Sequence, residues 1–272
     1  MKDKILLVDS SAEHRGFFST INLTLLTLLY CKKNNIQPII GNSVLSLYSS
    51  KLFWRDRTRP FSEFFGEAYD ESFLTSTDSL EISWVDNNQL LSFDDEQVVQ
   101  ELRLINNELL VHMSPTLKEF ITIPPLNISN SSFDISVHYR GCDYLKNTPI
   151  DHSPNLVPES FIELLDGIIS NKKIFVATDD DSFLKLLIDM GIDVTYFEDV
   201  YRKGPGRGSH IRTRWQRLGF PSRVSQKRKG FEVFRDCFWL SKSNHYIGTN
   251  SNLMFYSSLL NPYQKITNPS NT

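Results

Sequence analysis

Three short polar clusters follow apolar runs in the second half of the chain. His138-Tyr-Arg140-Gly-Cys-Asp143 comes after Ile135-Ser-Val137, Thr178-Asp179-Asp180 after Lys173 to Ala177, and Thr249-Asn250-Ser251 after His245 to Gly248. Apolar runs of this kind predict buried parallel strands, whose C-terminal ends share one edge of a sheet, the place where open α/β folds bind ligands. Arg140 offers a charged, planar fork of donors suited to a diphosphate, with a surface ion pair as its plainer alternative. Thr249 and Ser251 are placed to cap the helix that follows, and amides at such a helix start can bind phosphate oxygens. Asp179-Asp180-Asp181 reads either as a helix N-cap or, through Asp179 and Asp181, as an Asp-x-Asp pair holding a divalent metal against a diphosphate.

A second source of charge lies between Tyr201 and Gly230, where Arg202, Lys203, Arg207, Arg212, Arg214, Arg217, Arg223 and Lys227 to Lys229 surround Gly204, Gly206 and Gly208. It reads as a solvated loop or as a lid that closes on a nucleotide diphosphate and excludes water. A nucleic-acid surface is a third reading, but the net charge of −3 gives the chain no general attraction to a polyanion, and no nucleic-acid partner is expected.

The elements that must hold these residues follow an α/β rhythm. Ile5–Val8 predicts a strand, Phe17–Asn34 a helix and Gln37–Ile40 a second strand, with Gly16 where the first loop enters the helix, on the ligand-binding edge. Phe53 to Phe73 is crowded with aromatics and predicts irregular structure with a short helix. A Pro-, Asn- and Ser-rich stretch, Pro124 to Ser132, predicts a boundary between domains 1–128 and 129–272. The second is expected to contain strands at Ile135–Tyr139, Lys173–Ala177, Asp193–Phe197 and His245–Gly248. Its expected helices are Pro158–Ser170, Ser182–Met190, Phe231–Ser241 and one starting near Asn252.

The 272 residues, 40% apolar, 22% charged and 12% aromatic, suit two globular α/β domains. Cys31, Cys142 and Cys237 have neither zinc-site spacing nor disulfide density, which fits a reducing compartment. The first residues lack a signal-peptide layout, and the apolar stretch Ile21–Tyr30 is too short to span a bilayer. A cytoplasmic protein without stable membrane insertion is expected.

With these residues in view, the chain resembles the superfamily of α1,6-fucosyltransferases, the rhizobial nodulation fucosyltransferase and the protein O-fucosyltransferases. Val137-His-Tyr-Arg140-Gly-Cys-Asp143 is similar to its His-x-Arg-Arg-x-Asp donor motif and Phe175-Val-Ala-Thr-Asp-Asp180 to its Ala-Thr-Asp-Asp segment. Asp236 to Ser241 through Gly248-Thr-Asn-Ser251 is similar to its final motif, and Gly16-Phe-Phe-Ser19 to its opening glycine loop. The resemblance implies a GT-B-like fold of two Rossmann-like domains, the N-terminal one on the acceptor side and the C-terminal one on the donor side, with the active site in the cleft between them. It implies inverting transfer from a GDP-sugar, most often GDP-fucose, to a glycan acceptor, with no metal cofactor. Arg140 would hold the diphosphate and Asp236 the guanine or its surroundings. His138 and Asp179 would line the nucleotide pocket, Thr249 and Ser251 would approach the phosphates, and Asp180, Asn250 and Gly16 fall within the matched motifs.

Two positions depart from the pattern. The family's second arginine is Gly141 here, so that contact is missing or comes from elsewhere, as from Arg207 or Arg212. The glutamate proposed as base in the α1,6 branch is Thr148, which leaves Asp143, Asp151 and His152 as nearby candidates and Glu13 and His14 as distant ones. Arg140 and Asp143 are the catalytic residues expected, with the base itself left unassigned among these candidates. The rival readings are a metal-dependent transferase using Asp179 and Asp181, and a non-catalytic nucleotide- or glycan-binding protein.

Overall fold

The computed structural model describes residues 5–8, 16–40, 45, 48, 61–66, 80–81, 95–125, 132–141, 158–165, 167–200, 202, 225–249 and 251–268. The chain divides into two compact units, Met1–Glu119 with Leu218–Gly230, and Phe120–Arg217 with Phe231–Thr272. The first division thus falls at residue 119 instead of in the Pro/Asn/Ser stretch near 128, and Leu218–Gly230 counts with the first unit.

In the first unit β1 (Ile5–Val8), α1 (Phe17–Lys33) and β2 (Gln37–Ile40) form the expected βαβ start. The parallel sheet is completed by the two-residue β3 (Leu80–Glu81), in the order β2-β1-β3. Helix α1 is buried nearly all round, which is why its apolar residues show no single stripe. Its buried Thr24 and Thr27 satisfy their hydroxyls by donating to the carbonyls of Thr20 and Leu23, at 2.9 and 2.8 Å. The short α2 (Ser62–Phe65) lies in the aromatic stretch, where Phe17, Tyr48 and Phe64 pack ring on ring. Helix α3 (Glu96–Val111) is capped by Asp95 and buries Val98, Leu102, Ile105 and Leu109, an i, i+4, i+7, i+11 stripe. It is followed by α4 (Pro115–Thr122).

The second unit is built on a five-stranded, wholly parallel sheet. Its elements are β4 (Phe133–Tyr139), α5 (Pro158–Leu165), β5 (Ile174–Thr178), α6 (Asp181–Asp189), β6 (Val194–Thr195), α7 (Gln226–Leu240, whose first residues to Gly230 count with the first unit), β7 (Ser243–Gly248), α8 (Asn252–Leu260) and β8 (Lys265–Thr267). The strand order is β6-β5-β4-β7-β8. The sheet therefore grows outward from β4 in one direction, then the chain returns and grows in the other. The reversal lies between β4 and β7.

Strands β4 and β5 are buried on both faces, which explains their near-continuous apolar character. On one face Ile135, Val137, Tyr139, Ile174 and Val176 form a core with Phe161 and Leu165 of α5 and Phe183 and Leu187 of α6. Trp239 of α7 packs its indole against Phe133, Phe175 and Phe197 and donates its N–H to the Ile121 carbonyl at 2.9 Å. Beneath β7 the Ser243 hydroxyl donates to Ser136 Oγ at 2.7 Å. The Gln264 amide donates to Ser243 Oγ at 2.9 Å and to the Leu240 carbonyl at 2.7 Å, and its Oε1 accepts from Ser257 at 3.1 Å.

Candidate active site

Strand pairing sets Tyr139 beside Thr178 and His138 beside Gly248. The polar residues that follow β4, β5 and β7 therefore meet at one edge, at the point where the strand order reverses, which is the crevice an open parallel sheet offers to a ligand. The structure brings together there His138, Arg140, Thr178, Asp179, Asp180, Thr249 and Ser251 of the second unit.

His138 is 8% exposed, and its Nδ1 is buried without a hydrogen-bond partner. Burial, then the neighbouring Arg140 guanidinium, lowers its pKa to about 3, so the imidazole is neutral at physiological pH. Gly248 lies so close that a Cβ there would sit 2.8 Å from the His138 carbonyl oxygen and 2.8 Å from the Tyr246 ring. Only glycine lets the two backbones approach in this way. The adjoining Thr249 is buried, and its Oγ1 is likewise unpartnered. Thr249 does not cap α8; Ser251 does, accepting from the Met254 amide at 3.2 Å.

Asp180 is fully buried and caps α6, one carboxylate oxygen accepting from the Ser182 amide at 2.9 Å and from the Ser182 hydroxyl, while its Oδ2 has no partner. Asp179 Oδ1 accepts from the Gly141 amide at 3.1 Å. Asp181 is exposed in the first turn of α6, where a carboxylate suits the helix dipole. Three buried polar atoms without partners, His138 Nδ1, Asp180 Oδ2 and Thr249 Oγ1, thus belong to the ends of three neighbouring strands. Leaving a buried polar group unpaired is costly.

Asp236 sits on α7, buried, with its carboxyl pushed up to about 7 by burial against the opposing pull of Arg202 and Arg235; Glu232 and Asp199 push the same way as burial. Arg235 had no place in the sequence reading. Its guanidinium is buried between the rings of Phe197 (3.8 Å) and Phe120 (4.5 Å) and grips Asp199 with two donors, at 2.5 and 3.3 Å. The signal was available: Arg235 interrupts the i, i+4, i+8 stripe of Phe231 and Trp239, the position of a core-facing side chain. Arg202, from the basic stretch, donates to the Phe197 carbonyl at 2.8 Å and lies over Tyr196.

Gly16 starts α1 in the first unit without a side-chain cap; the Phe17 amide donates to the Tyr48 hydroxyl at 3.0 Å. Asp143, Asn250, Thr148, Asp151, His152, Glu13, His14, Cys142, Arg207 and Arg212 lie outside the described residues. Among the described residues no three His, Cys, Asp or Glu side chains group as a metal site requires. No described helix is long and apolar enough to cross a membrane. A cavity beside Asp134, Lys172, Asn244 and Lys265 opens near the start of the strands, at the other end of the sheet from the polar edge.

No protein-family model and no curated protein matches the sequence. Solved structures do. NodZ α1,6-fucosyltransferase co-crystallized with GDP superposes with a TM-score of 0.51 at 13% identity, over 96% of this chain and 94% of that one. Fucosyltransferase NodZ from Bradyrhizobium gives 0.53 at 12% identity, over 96% and 95%. The chain has the fold of these fucosyltransferases. A third NodZ structure, soaked with GDP-fucose, gives 0.50 at 14% identity over 96% and 94%. The NodZ-like fold agrees with the resemblance read from the motifs, and identity this low speaks to the fold alone.

Proposed function

We propose that the chain is a glycosyltransferase of the fucosyltransferase-like type, transferring a sugar from a GDP-sugar donor, with GDP-fucose the first candidate, to a glycan hydroxyl. The observation that carries this reading is the meeting of His138, Arg140, Asp180 and Thr249 at the strand-order reversal of the second unit, with three unpartnered buried polar atoms. NodZ has been crystallized with GDP and soaked with GDP-fucose, which supports the same donor here. In this GT-B reading the second unit binds the donor and the first serves the acceptor.

Arg140 would face the diphosphate, with the first amides of α8 supplying further partial positive charge. Neutral His138 and Thr249 would offer hydrogen bonds to the nucleotide without adding charge. Asp236 would meet the guanine or its surroundings. The acceptor oxygen forms a bond to the anomeric carbon as the bond from that carbon to the diphosphate oxygen breaks, the electron pair leaving with GDP. The acceptor proton passes to a carboxylate, for which Asp143 is our candidate, and the anomeric configuration inverts. Charge on the leaving diphosphate would be met by the protein without a metal ion. A cytoplasmic location and a role in building polysaccharide complete the proposal.

Calorimetric titration with GDP, GDP-fucose, UDP and ADP, followed by donor turnover with and without chelator, tests it. GDP and GDP-fucose should bind in preference to the others, turnover should survive chelation, and Arg140→Ala should lower it by about 10²-fold or more. Preference for UDP would overturn the GDP-sugar donor, and loss of activity on chelation would replace this reading with the metal-dependent one. Thr148 at the place of the family's glutamate favours a second reading, a binding protein without turnover. GDP binding with no donor turnover would establish that instead.

A further inference from the structure

The alternation of a strand separates the residues around Arg140 into two sets. Tyr139 faces α5 and α6: its ring stacks on Phe183 at 4.2 Å and meets Phe161 edge-on at 5.3 Å. His138 turns to the other face, towards Tyr246, and Arg140 is near enough to act on its charge. Gly141 returns to the Tyr139 side. A Cβ at 141 would lie 2.6 Å from the Tyr139 ring and still closer to Asp180 Oδ2. The Gly141 amide donates to Asp179 Oδ1 at 3.1 Å. Asp180 cannot give way easily, because its other oxygen caps α6 and the Thr178 hydroxyl accepts from its amide at 3.1 Å.

We propose that Asp179 and Asp180 are positioning residues that clamp Gly141, so that Arg140 is held between two fixed neighbours, Tyr139 in its aromatic slot and Gly141 under two carboxylates. The proposal rests on the donor-site reading for its consequence in binding, though the clamp itself is a property of the fold. It assigns the acidic run to the geometry of a guanidinium instead of to a metal ion. In this chain the space that a side chain at 141 would take is filled by Asp180 and Tyr139.

The experiment compares Asp179→Ala and Asp179→Asn in the full chain, in the wild-type and Arg140→Ala backgrounds, by GDP titration and by exchange of the Gly141 amide. An asparagine oxygen can still accept from that amide; an alanine cannot. Asp179→Ala should weaken GDP binding by about tenfold and speed Gly141 exchange, while Asp179→Asn stays within about threefold of wild type in both. In the Arg140→Ala background, Asp179→Ala should have little further effect on GDP, since both act through one guanidinium. Equal damage from the Asn and Ala variants would overturn the proposal, because the carboxylate charge itself would then be in use. So would full additivity with Arg140→Ala, or unchanged Gly141 exchange in Asp179→Ala. Gly141→Arg, which restores the family's second guanidinium, should bind GDP more weakly or lower the unfolding midpoint; tighter binding at unchanged stability would also sink the idea. If wild type binds no GDP while Gly141 exchange follows the expected pattern, the donor reading fails and the clamp stands.

Discussion

At the scale of single residues, His138 and Asp236 are both buried groups whose ionisation folding opposes, and they respond to pH in opposite senses. The folded-state pKa of His138 lies near 3, below its unfolded value of 6.5, so the native state binds fewer protons in that interval and stability falls as pH drops through it. The folded-state pKa of Asp236 lies near 7, above its unfolded value of 3.8, so the native state keeps a proton longer and stability falls as pH rises between the two. Each slope is about 1.4 kcal/mol per pH unit, and from pH 4 to 6.5 they cancel. Urea unfolding over that range should therefore show Asp236→Asn gaining stability with rising pH and His138→Asn losing it, each against the flatter wild type; two variants with parallel profiles would contradict the assignment. The sequence made His138 and Arg140 legible because strand ends are recognisable. It could not show that Gly141 is a packing requirement, since the Asp180 carboxylate that crowds it comes from the end of another strand, nor that the Arg235 guanidinium lies between Phe120 and Phe197, whose rings come from other elements.

At the scale of elements, the polar edge depends on how its helices begin. Ser251→Ala removes the cap of α8 and should cost about 1 kcal/mol, measured as a lower denaturation midpoint. If the first turn of α8 faces phosphate, the same variant should weaken GDP more than it weakens a nucleoside without phosphates; equal losses would take that turn out of the phosphate site. Several boundaries moved from their expected places for local reasons. Helix α5 ends at Leu165, short of Ser170, just before a left-handed Gly167 at φ 76°. Helix α7 begins at Gln226 instead of Phe231, started by Ser225, whose hydroxyl and carbonyl accept from the Arg228 and Lys229 amides at 3.1 and 3.2 Å. The basic run from Lys227 to Lys229 looked like a loop, yet the Lys227–Glu63 ion pair at 3.4 Å and the close packing of Gly230 on Phe64 hold it helical. Strands β3 and β8 are two and three residues long, too short for periodicity to register, whereas β6 was expected over Asp193–Phe197 and forms only at Val194–Thr195. Helix α3, by contrast, carried both a cap and a stripe that could have been read.

At the scale of the whole molecule, the parallel α/β architecture was legible because buried parallel strands leave near-continuous apolar runs. The division of the chain was less so, since Leu218–Gly230 joins a unit from which it is remote in sequence. A net charge of −3 gives no long-range pull on a nucleotide anion, so affinity for GDP should rest on short contacts. Raising ionic strength from about 0.05 to 0.5 M should then shift the GDP dissociation constant less than about tenfold. A much steeper dependence would mean that many exposed cations share the ligand.

The Ser136–Ser243–Gln264–Ser257 chain acts as a vernier for the central sheet. Sliding β7 by one residue along β4 would turn exposed Asn244 inward and strand two hydroxyls and an amide, each orphan costing about 1–3 kcal/mol. Misaligned strand pairings are thereby excluded, and the alignment that survives is the one that sets Gly248 level with His138.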